Sequence, residues 1–234
     1  MLEKSLRPEV ALSFGENGLL MKKNTVVFEK PPLGLREQNK LEKLQRIKSA
    51  AKELFTELGY DAATTRDIAR RARVGLGTLF NYADDKRDLI FLIYVDHLNE
   101  IQQRGIEAVN PRKSLLGQLV AFFSLLYEDF AGNPTLSRIL LRELTFYQHG
   151  KLSVEFTENR LRVVDTVRQL VADAQKRGQV RSRENPSVIA LGLFFVYAGA
   201  VRLWISEDNP DLDAGLAALR KQFRIYINGL DPVR

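Results

Sequence analysis

The sequence predicts an all-α protein with about nine helices. Two observations lead to this fold class. After residue 35, apolar residues recur at spacings of three and four, the period of a helix that buries one face. No run of alternating strand residues or internal repeat interrupts that pattern. Its helical segments are instead separated at Pro111, Pro134, Gly150, Gly178, Pro186 and Pro210, which are residues that end helices.

The composition is that of a globular chain. It has 234 residues, of which 45% are hydrophobic and 27% charged, enough apolar side chains for a substantial core. The absence of cysteine excludes disulfides, thiolate zinc sites and a cysteine nucleophile. The net charge of +6 weakly favours nucleic acid or an anionic surface as a partner.

The most apolar stretch runs from Val188 to Val201. It is shorter than the roughly 20 residues that a transmembrane helix needs, so we expect a buried helix there and no membrane partner. The N-terminus lacks the pattern of a signal peptide. These observations predict a cytoplasmic protein.

Residues 1–35 contain glycine and proline but no helical period. They predict a poorly ordered N-terminal extension. Two alternatives stay open for this segment. Met21, which is followed by two lysines, could be the natural start, or the segment could be a basic arm that touches DNA.

Three short helices are predicted in residues 36–84. The first has an apolar stripe and ends before Gly59, whose freedom at positive φ suits a helix end. Thr64 and Asp67 form a capping box for the second helix, and the third covers residues 76–82. Asp85 and Asp88 form a capping box for a long fourth helix, which ends near residue 109. Further helices are expected at 113–131, 134–148, 151–177, 187–206 and 211–228.

The second and third helices, joined by a tight turn, form a helix-turn-helix whose last helix can enter the major groove of DNA. Asn81 can pair with adenine and the Thr78 methyl can meet a thymine methyl. Tyr82 and Lys86 are placed to contact phosphate. Residues 62–83 carry four arginines and one aspartate, half of the net charge of the chain.

Many spaced residues across this region belong to one pattern: Phe55, Gly59, Tyr60, Thr64, Thr65, Asp67, Ile68, Ala69, Ala72, Val74, Gly77, Thr78, Leu79, Phe80, Tyr82, Lys86 and Leu89. The pattern covers about 50 residues and resembles the DNA-binding head of the TetR family of bacterial transcriptional regulators. The resemblance implies a three-helix head at 36–84. It also implies a helical body at 85–234 that binds a small effector and dimerises through its last two helices, 187–206 and 211–228. The chain departs from the family pattern at Arg73, Gly75, Phe80 and Ala83.

The predicted site residues fall into two groups. The DNA-binding group comprises Thr64, Thr65, Arg66, Gly75, Leu76, Gly77, Thr78, Asn81, Tyr82 and Lys86. The body is rich in aromatic residues, most of which are expected in its core. The resemblance favours an apolar effector cavity lined by Phe123, Tyr127, Phe146, Tyr147 and Asn159.

Catalytic chemistry has little support. The two histidines, His97 and His149, lie far apart, and the sequence has no nucleophile elbow, phosphate loop or dinucleotide motif. We therefore predict a non-enzymatic protein without a cofactor or metal. The leading hypothesis is a homodimeric repressor that a small, largely apolar effector releases from a palindromic operator in double-stranded DNA. A non-specific, architectural DNA-binding protein is the alternative, and a helical enzyme or carrier is the weaker third hypothesis.

Overall fold

The computed structural model describes residues 34–147 and 149–229. Within these ranges the chain forms nine α-helices, one 3-10 turn at Leu144–Phe146 and no strand, which confirms the predicted fold class. The helices are α1 (Leu35–Glu57), α2 (Thr65–Arg71), α3 (Leu76–Phe80), α4 (Lys86–Ala108), α5 (Leu115–Gly132), α6 (Pro134–Glu143), α7 (Ser153–Lys176), α8 (Pro186–Ile205) and α9 (Leu212–Asn228). The predicted extension, apart from its last two residues, lies outside the described residues.

Helices α1 to α3 form the head around a small apolar core. Phe55, Ile68 and Leu79 come one from each helix and are fully buried. The predicted cap of α2 is present, because the Thr64 hydroxyl accepts a hydrogen bond from the Asp67 amide at 3.1 Å. The same hydroxyl donates to the Asp67 carboxylate at 2.5 Å. The packing of these three apolar side chains and the Thr64 cap of α2 therefore fix how α2 and α3 lie relative to each other.

The turn between α2 and α3 contains backbone strain at Arg73, one of the positions where the chain departs from the family pattern. Arg73 has a φ of +55°, in the left-handed region. Two hydrogen bonds close the turn, from the Arg73 amide to the Arg70 carbonyl at 3.1 Å and from the Val74 amide to the Ala69 carbonyl at 3.0 Å. This is a Schellman motif, and glycine is the usual residue at the position that Arg73 occupies.

Helix α4 connects the head to the body. Its 23 residues correspond to about 34 Å of helix, along which it packs against α1, α5, α6 and α7. The aromatic core of the body lies between α5, α8 and α9. There Phe123 stacks on Tyr197 with ring centroids 4.1 Å apart, and Tyr127 stacks on Trp204 at 4.6 Å.

Two of these helices, α5 and α8, are long and apolar enough to cross a membrane when length and composition alone are considered. Here α5 contributes Phe122, Phe123 and Tyr127 to the core, and α8 packs against α7 and α9. The sequence indicated that α8 would be buried on several sides. In the single chain, however, one stripe of α8 is exposed: Val188, Leu191, Phe195 and Leu203.

The strained turn gives a stability prediction. We expect Arg73→Gly to raise the free energy of unfolding by about 0.5–1 kcal/mol, because glycine adopts a positive φ without the steric cost that a side chain adds. Urea unfolding followed by circular dichroism measures the change. Arg66→Gly, inside α2, is the matched control and should lower stability. Equal losses in both variants would contradict the strain at residue 73.

Candidate nucleic-acid interface and effector region

The ten predicted DNA-binding residues are all accessible on the head. Thr64, Arg66, Gly75, Gly77 and Asn81 are exposed, whereas Thr65, Leu76, Thr78, Tyr82 and Lys86 are half-buried. Leu79, which the sequence placed inward, is fully buried. Helix α3 therefore presents small and polar groups outward and is fixed to the head by its apolar side.

An open groove of about 700 Å³ lies between the start of α1 and α3. From the α3 side it is lined by Thr78, Asn81 and Tyr82, and from α1 by Arg36, Glu37, Asn39, Lys40 and Lys43. The analysis of the sequence missed the α1 cations. Their spacing of four and three residues was the available signal, because it places them on one face of a helix.

Tyr82 and Lys86 already have partners within the protein. The Tyr82 hydroxyl donates to the Lys40 carbonyl at 3.2 Å, which ties the start of α1 to the end of α3. The Lys86 ammonium donates to the Asp61 carbonyl at 3.0 Å and lies 4.6 Å from the centroid of the Tyr60 ring. Both residues therefore help to hold the head together, and their phosphate contacts remain a prediction.

The arginines of the head differ in their pairing. Arg71 bridges Glu53 and Glu57 of α1, with N–O distances of 3.0 Å to each. Arg70 pairs with Asp67 at 2.5 Å. The hydrogen bond from Thr64 and the charge of Arg70 lower the pKa of the Asp67 carboxyl. Within the described chain, Arg66 forms no ion pair, so its positive charge is available at the surface of the head.

The five predicted effector residues do not line one cavity. Phe123 and Tyr127 are fully buried in the aromatic core, whereas the hydroxyl of Tyr147 donates to Asp88 at the head end of the body. Asn159 is on α7, at the seam with α4. The interior position expected for Phe146 is wrong, because that side chain is 81% exposed. The expected helix 134–148 gives way at residue 144 to a 3-10 turn, in which the last residue, Phe146, is exposed, whereas the next residue, Tyr147, is buried.

A narrow void, with no room for a water molecule, lies between α4 and α7. Its lining consists of Val95, Leu98, Asn99, Glu155, Phe156 and Asn159. Amide groups cross the seam there, with Gln102 donating to the Asn159 side-chain oxygen at 2.7 Å and Asn159 donating to that of Asn99 at 3.0 Å. Because the void does not admit even a water molecule, it is not a formed small-molecule site, for which roughly 300 Å³ is the lower limit.

A second polar feature lies in the aromatic core. The hydroxyl of Tyr127 and one carboxylate oxygen of Asp129 are buried without a hydrogen-bond partner in the described residues. The other Asp129 oxygen contacts His97 Nε2. Burial raises the pKa of Tyr127, which keeps its hydroxyl protonated as a donor. The sequence carries no signal for these unpaired atoms, because their burial depends on how α5 packs against the neighbouring helices.

Comparison with known proteins identifies the head. Residues 47–93 match the family model described as bacterial regulatory proteins, tetR family. The match identifies the head of the chain as a TetR-family DNA-binding head. The match covers α2, α3 and the first turns of α4, together with the second half of α1, and these are the elements that contain the cap, the strained turn and the outward face described above.

Relatives of this regulator align over most of the chain. An uncharacterised HTH-type transcriptional regulator, YhgD of Bacillus subtilis, is 25% identical over 76% of this chain and 94% of its own. The HTH-type transcriptional activator FasR of Mycolicibacterium smegmatis is 24% identical over 78% of this chain and 82% of its own. Both are transcriptional regulators, in agreement with the predicted non-enzymatic function.

Among solved structures, Thermus thermophilus FadR, described as a TetR-family transcriptional repressor in complex with lauroyl-CoA, superposes with a TM-score of 0.61. It is 23% identical, and the match covers 82% of this chain and 96% of FadR. At this identity the likeness is one of fold. It extends the agreement from the head to the helical body.

The groove gives a prediction about electrostatics. We expect Lys43→Ala to reduce the slope of log affinity against log salt by about one per protomer, because one fewer phosphate is neutralised. Fluorescence anisotropy with a random-sequence duplex, at several salt concentrations, measures the slope. Lys52→Ala, on the same helix but outside the groove, is the control. A slope unchanged by Lys43→Ala would exclude the groove from the DNA interface.

Proposed function

We propose that this regulator is a dimeric repressor whose two α3 helices read a palindromic operator, and that an apolar effector bound in the body releases it. The observation that carries the proposal is the combination of an outward-facing, small-residue α3 with a cationic groove beside it. The groove suits the DNA backbone, and α3 suits the base edges next to it.

The contacts with DNA divide into two classes. In the proposed complex, Asn81 and Thr78 meet base edges, and Gly75 and Gly77 let the α3 backbone approach closely. Phosphates are contacted by the remaining predicted residues and by the α1 cations: Thr64, Thr65, Arg66, Leu76 through its amide, Tyr82, Lys86, Arg36, Lys40 and Lys43. The first class sets specificity, and the second sets the position and most of the salt-dependent affinity.

Dimerisation through α8 and α9 is supported by the exposed apolar stripe of α8. Two α9 residues, Ile225 and Tyr226, are exposed as well. Apolar surface of this kind is favourable to bury against a second copy across a two-fold axis. In the proposed dimer we expect the two heads to lie about 34–36 Å apart, the separation of half-sites one DNA turn from each other.

The effector is proposed from the body and from the relatives together. FadR of T. thermophilus holds lauroyl-CoA, and in the aromatic core of this chain the Tyr127 hydroxyl is buried without a hydrogen-bond partner among the described residues. An acyl-CoA combines an apolar chain with polar groups, so it is the effector class that we propose. Because the void at the α4–α7 seam is too small for such a ligand, binding must widen the space between helices.

The regulatory direction is part of the proposal, since FasR is an activator and FadR a repressor. We expect the purified protein to bind promoter-proximal DNA of its own gene much more tightly than scrambled DNA at about 150 mM salt, where non-specific affinity is low. DNase footprinting should give a palindromic protected region. Lauroyl-CoA should then weaken this binding by roughly 5- to 150-fold.

Asn81→Ala is the matched test of base reading in the same assay. It should reduce the preference for the operator over scrambled DNA while leaving the affinity for scrambled DNA unchanged, because an amide that pairs with a base carries sequence information. Equal loss on both duplexes would exclude base reading by Asn81. Equal, weak binding of the unsubstituted protein to both duplexes would favour the architectural alternative.

The dimer prediction has a close internal control. Phe195→Glu should convert the dimer into monomers in sedimentation velocity, because a buried, unpaired carboxylate at the interface is costly. Phe146→Glu is the control, since both phenylalanines are largely exposed in the single chain, at 62% and 81%, but only Phe195 is on α8. Dimers that survive Phe195→Glu would place the interface elsewhere.

A further inference from the structure

Asp88, in the first turn of α4, is a fully buried carboxylate. One of its oxygens accepts from the Asp84 amide at 2.8 Å and from the Lys151 amide at 3.1 Å. The other accepts from the Tyr147 hydroxyl. The group therefore joins the segment that follows α3 to the loop between α6 and α7. We call Asp88, Tyr147 and residues 150–151 the Asp88 cluster.

Lys151 extends this connection to the recognition helix itself. Its ammonium donates to the carbonyl of Phe80, the last residue of α3, and pairs with the Asp84 carboxylate at 2.8 Å. Helix C-terminal carbonyls carry partial negative charge and favour a cation. A residue of the body is thus a direct hydrogen-bond partner of the end of α3.

Gly150 shows how closely the loop packs on the carboxylate. Its φ is +136°, and a Cβ at this position would lie 2.5 Å from Asp88 Oδ1 and 2.7 Å from the Tyr147 hydroxyl oxygen. No side chain fits there without displacing one of these groups. The α6–α7 loop is therefore held against α4 at a fixed distance.

An aromatic contact chain leads from the cluster to the void. The Tyr147 ring packs on Phe91 with centroids 3.9 Å apart, and Phe91 packs on Phe156 at 4.7 Å. Phe156 also lines the void between α4 and α7. Phe156 therefore lines the void and also packs on Phe91, the ring that contacts Tyr147.

Helix capping alone does not account for these contacts. The cap of α4 is formed by Asp85, whose carboxylate accepts from the Asp88 amide at 2.9 Å, and it needs neither Tyr147 nor Lys151. Two ion pairs also involve α6, from Arg142 to Asp61 of the head at 3.7 Å and from Arg87 of α4 to Glu143 at 3.1 Å, and their arginine side chains are 53% and 41% exposed. Exposed pairs of this kind contribute little, whereas a buried carboxylate requires its donors.

We infer that Lys151 and Asp88 are positioning residues through which the body sets the orientation of α3. An occupant that enters the void between α4 and α7 moves Phe156, and with it Tyr147, and so loosens the hold of the cluster on the end of α3. The inference rests on the proposed regulatory function and names the residues that transmit the effector signal to the head.

The test is hydrogen exchange on the free protein, without DNA. Lys151→Met should speed exchange of the amides of Asn81, Tyr82, Ala83 and Asp84 by about tenfold, because the end of α3 loses its partner in the body. Amides of α9 should exchange as before. Lys176→Met is the control, since that lysine pairs only within α7, with Asp173 at 3.5 Å.

The signal from the void is tested by combining two substitutions. Phe156→Leu should speed exchange of the same four amides when Lys151 is present and add little in the Lys151→Met protein, since both changes act through one connection. Phe223→Leu, an equally buried phenylalanine of α9, should leave these amides unchanged. If Phe156→Leu does not fold, Asn159→Ala on the α7 side of the void replaces it.

Operator affinity is the second measurement. Lys151→Met should weaken operator binding by about three- to tenfold and leave the affinity for scrambled DNA unchanged. Unchanged exchange at the end of α3 in Lys151→Met would overturn the inference even if the wild-type protein binds its operator. Conversely, wild-type protein that binds no operator would contradict the proposed function, while the exchange data would still decide whether the body positions α3.

Discussion

The relative position of head and body depends on the burial of the Asp88 carboxylate. A buried carboxylate is stable only when donors surround it, and here they come from the segment after α3 and from the α6–α7 loop. The body therefore cannot shift against α3 without breaking hydrogen bonds in a dry environment. This constraint is the basis of our proposal that a change in the body reaches the DNA-binding surface.

The rest of the structure consists of two close-packed apolar cores, a loosely packed seam between α4 and α7, and an exposed apolar surface on α8. Phe55, Ile68 and Leu79 form the packed core of the head, and the aromatic residues form the packed core at the far side of the body. Between them the α4–α7 seam contains a small void crossed by amide hydrogen bonds, which are easier to rearrange than close-packed rings. The exposed α8 stripe is the other open surface, and a second copy of the chain is its proposed partner.

The sequence predicted the fold well because its signals are local. Capping residues, periodic apolar positions and helix-breaking residues located the nine helices, and the departure from the family pattern at Arg73 falls on a residue with positive φ. The effector region was not predictable in this way. Which face of the α6–α7 segment turns inward depends on a 3-10 turn, so Phe146 was misplaced, and Asp88 was recognised only as a capping residue. Contacts such as Lys151 with Phe80 join residues 71 positions apart, which no local pattern encodes.

The central claim is that the body fixes the heads through the α6–α7 loop, and the distance between the heads tests it most directly. The chain has no cysteine, so a spin label on Ser49→Cys, an exposed position of α1, reports one distance in the proposed dimer by double electron–electron resonance. We expect a narrow distribution in otherwise unsubstituted protein and a broader one when Lys151→Met is added. Identical distributions would contradict the claim.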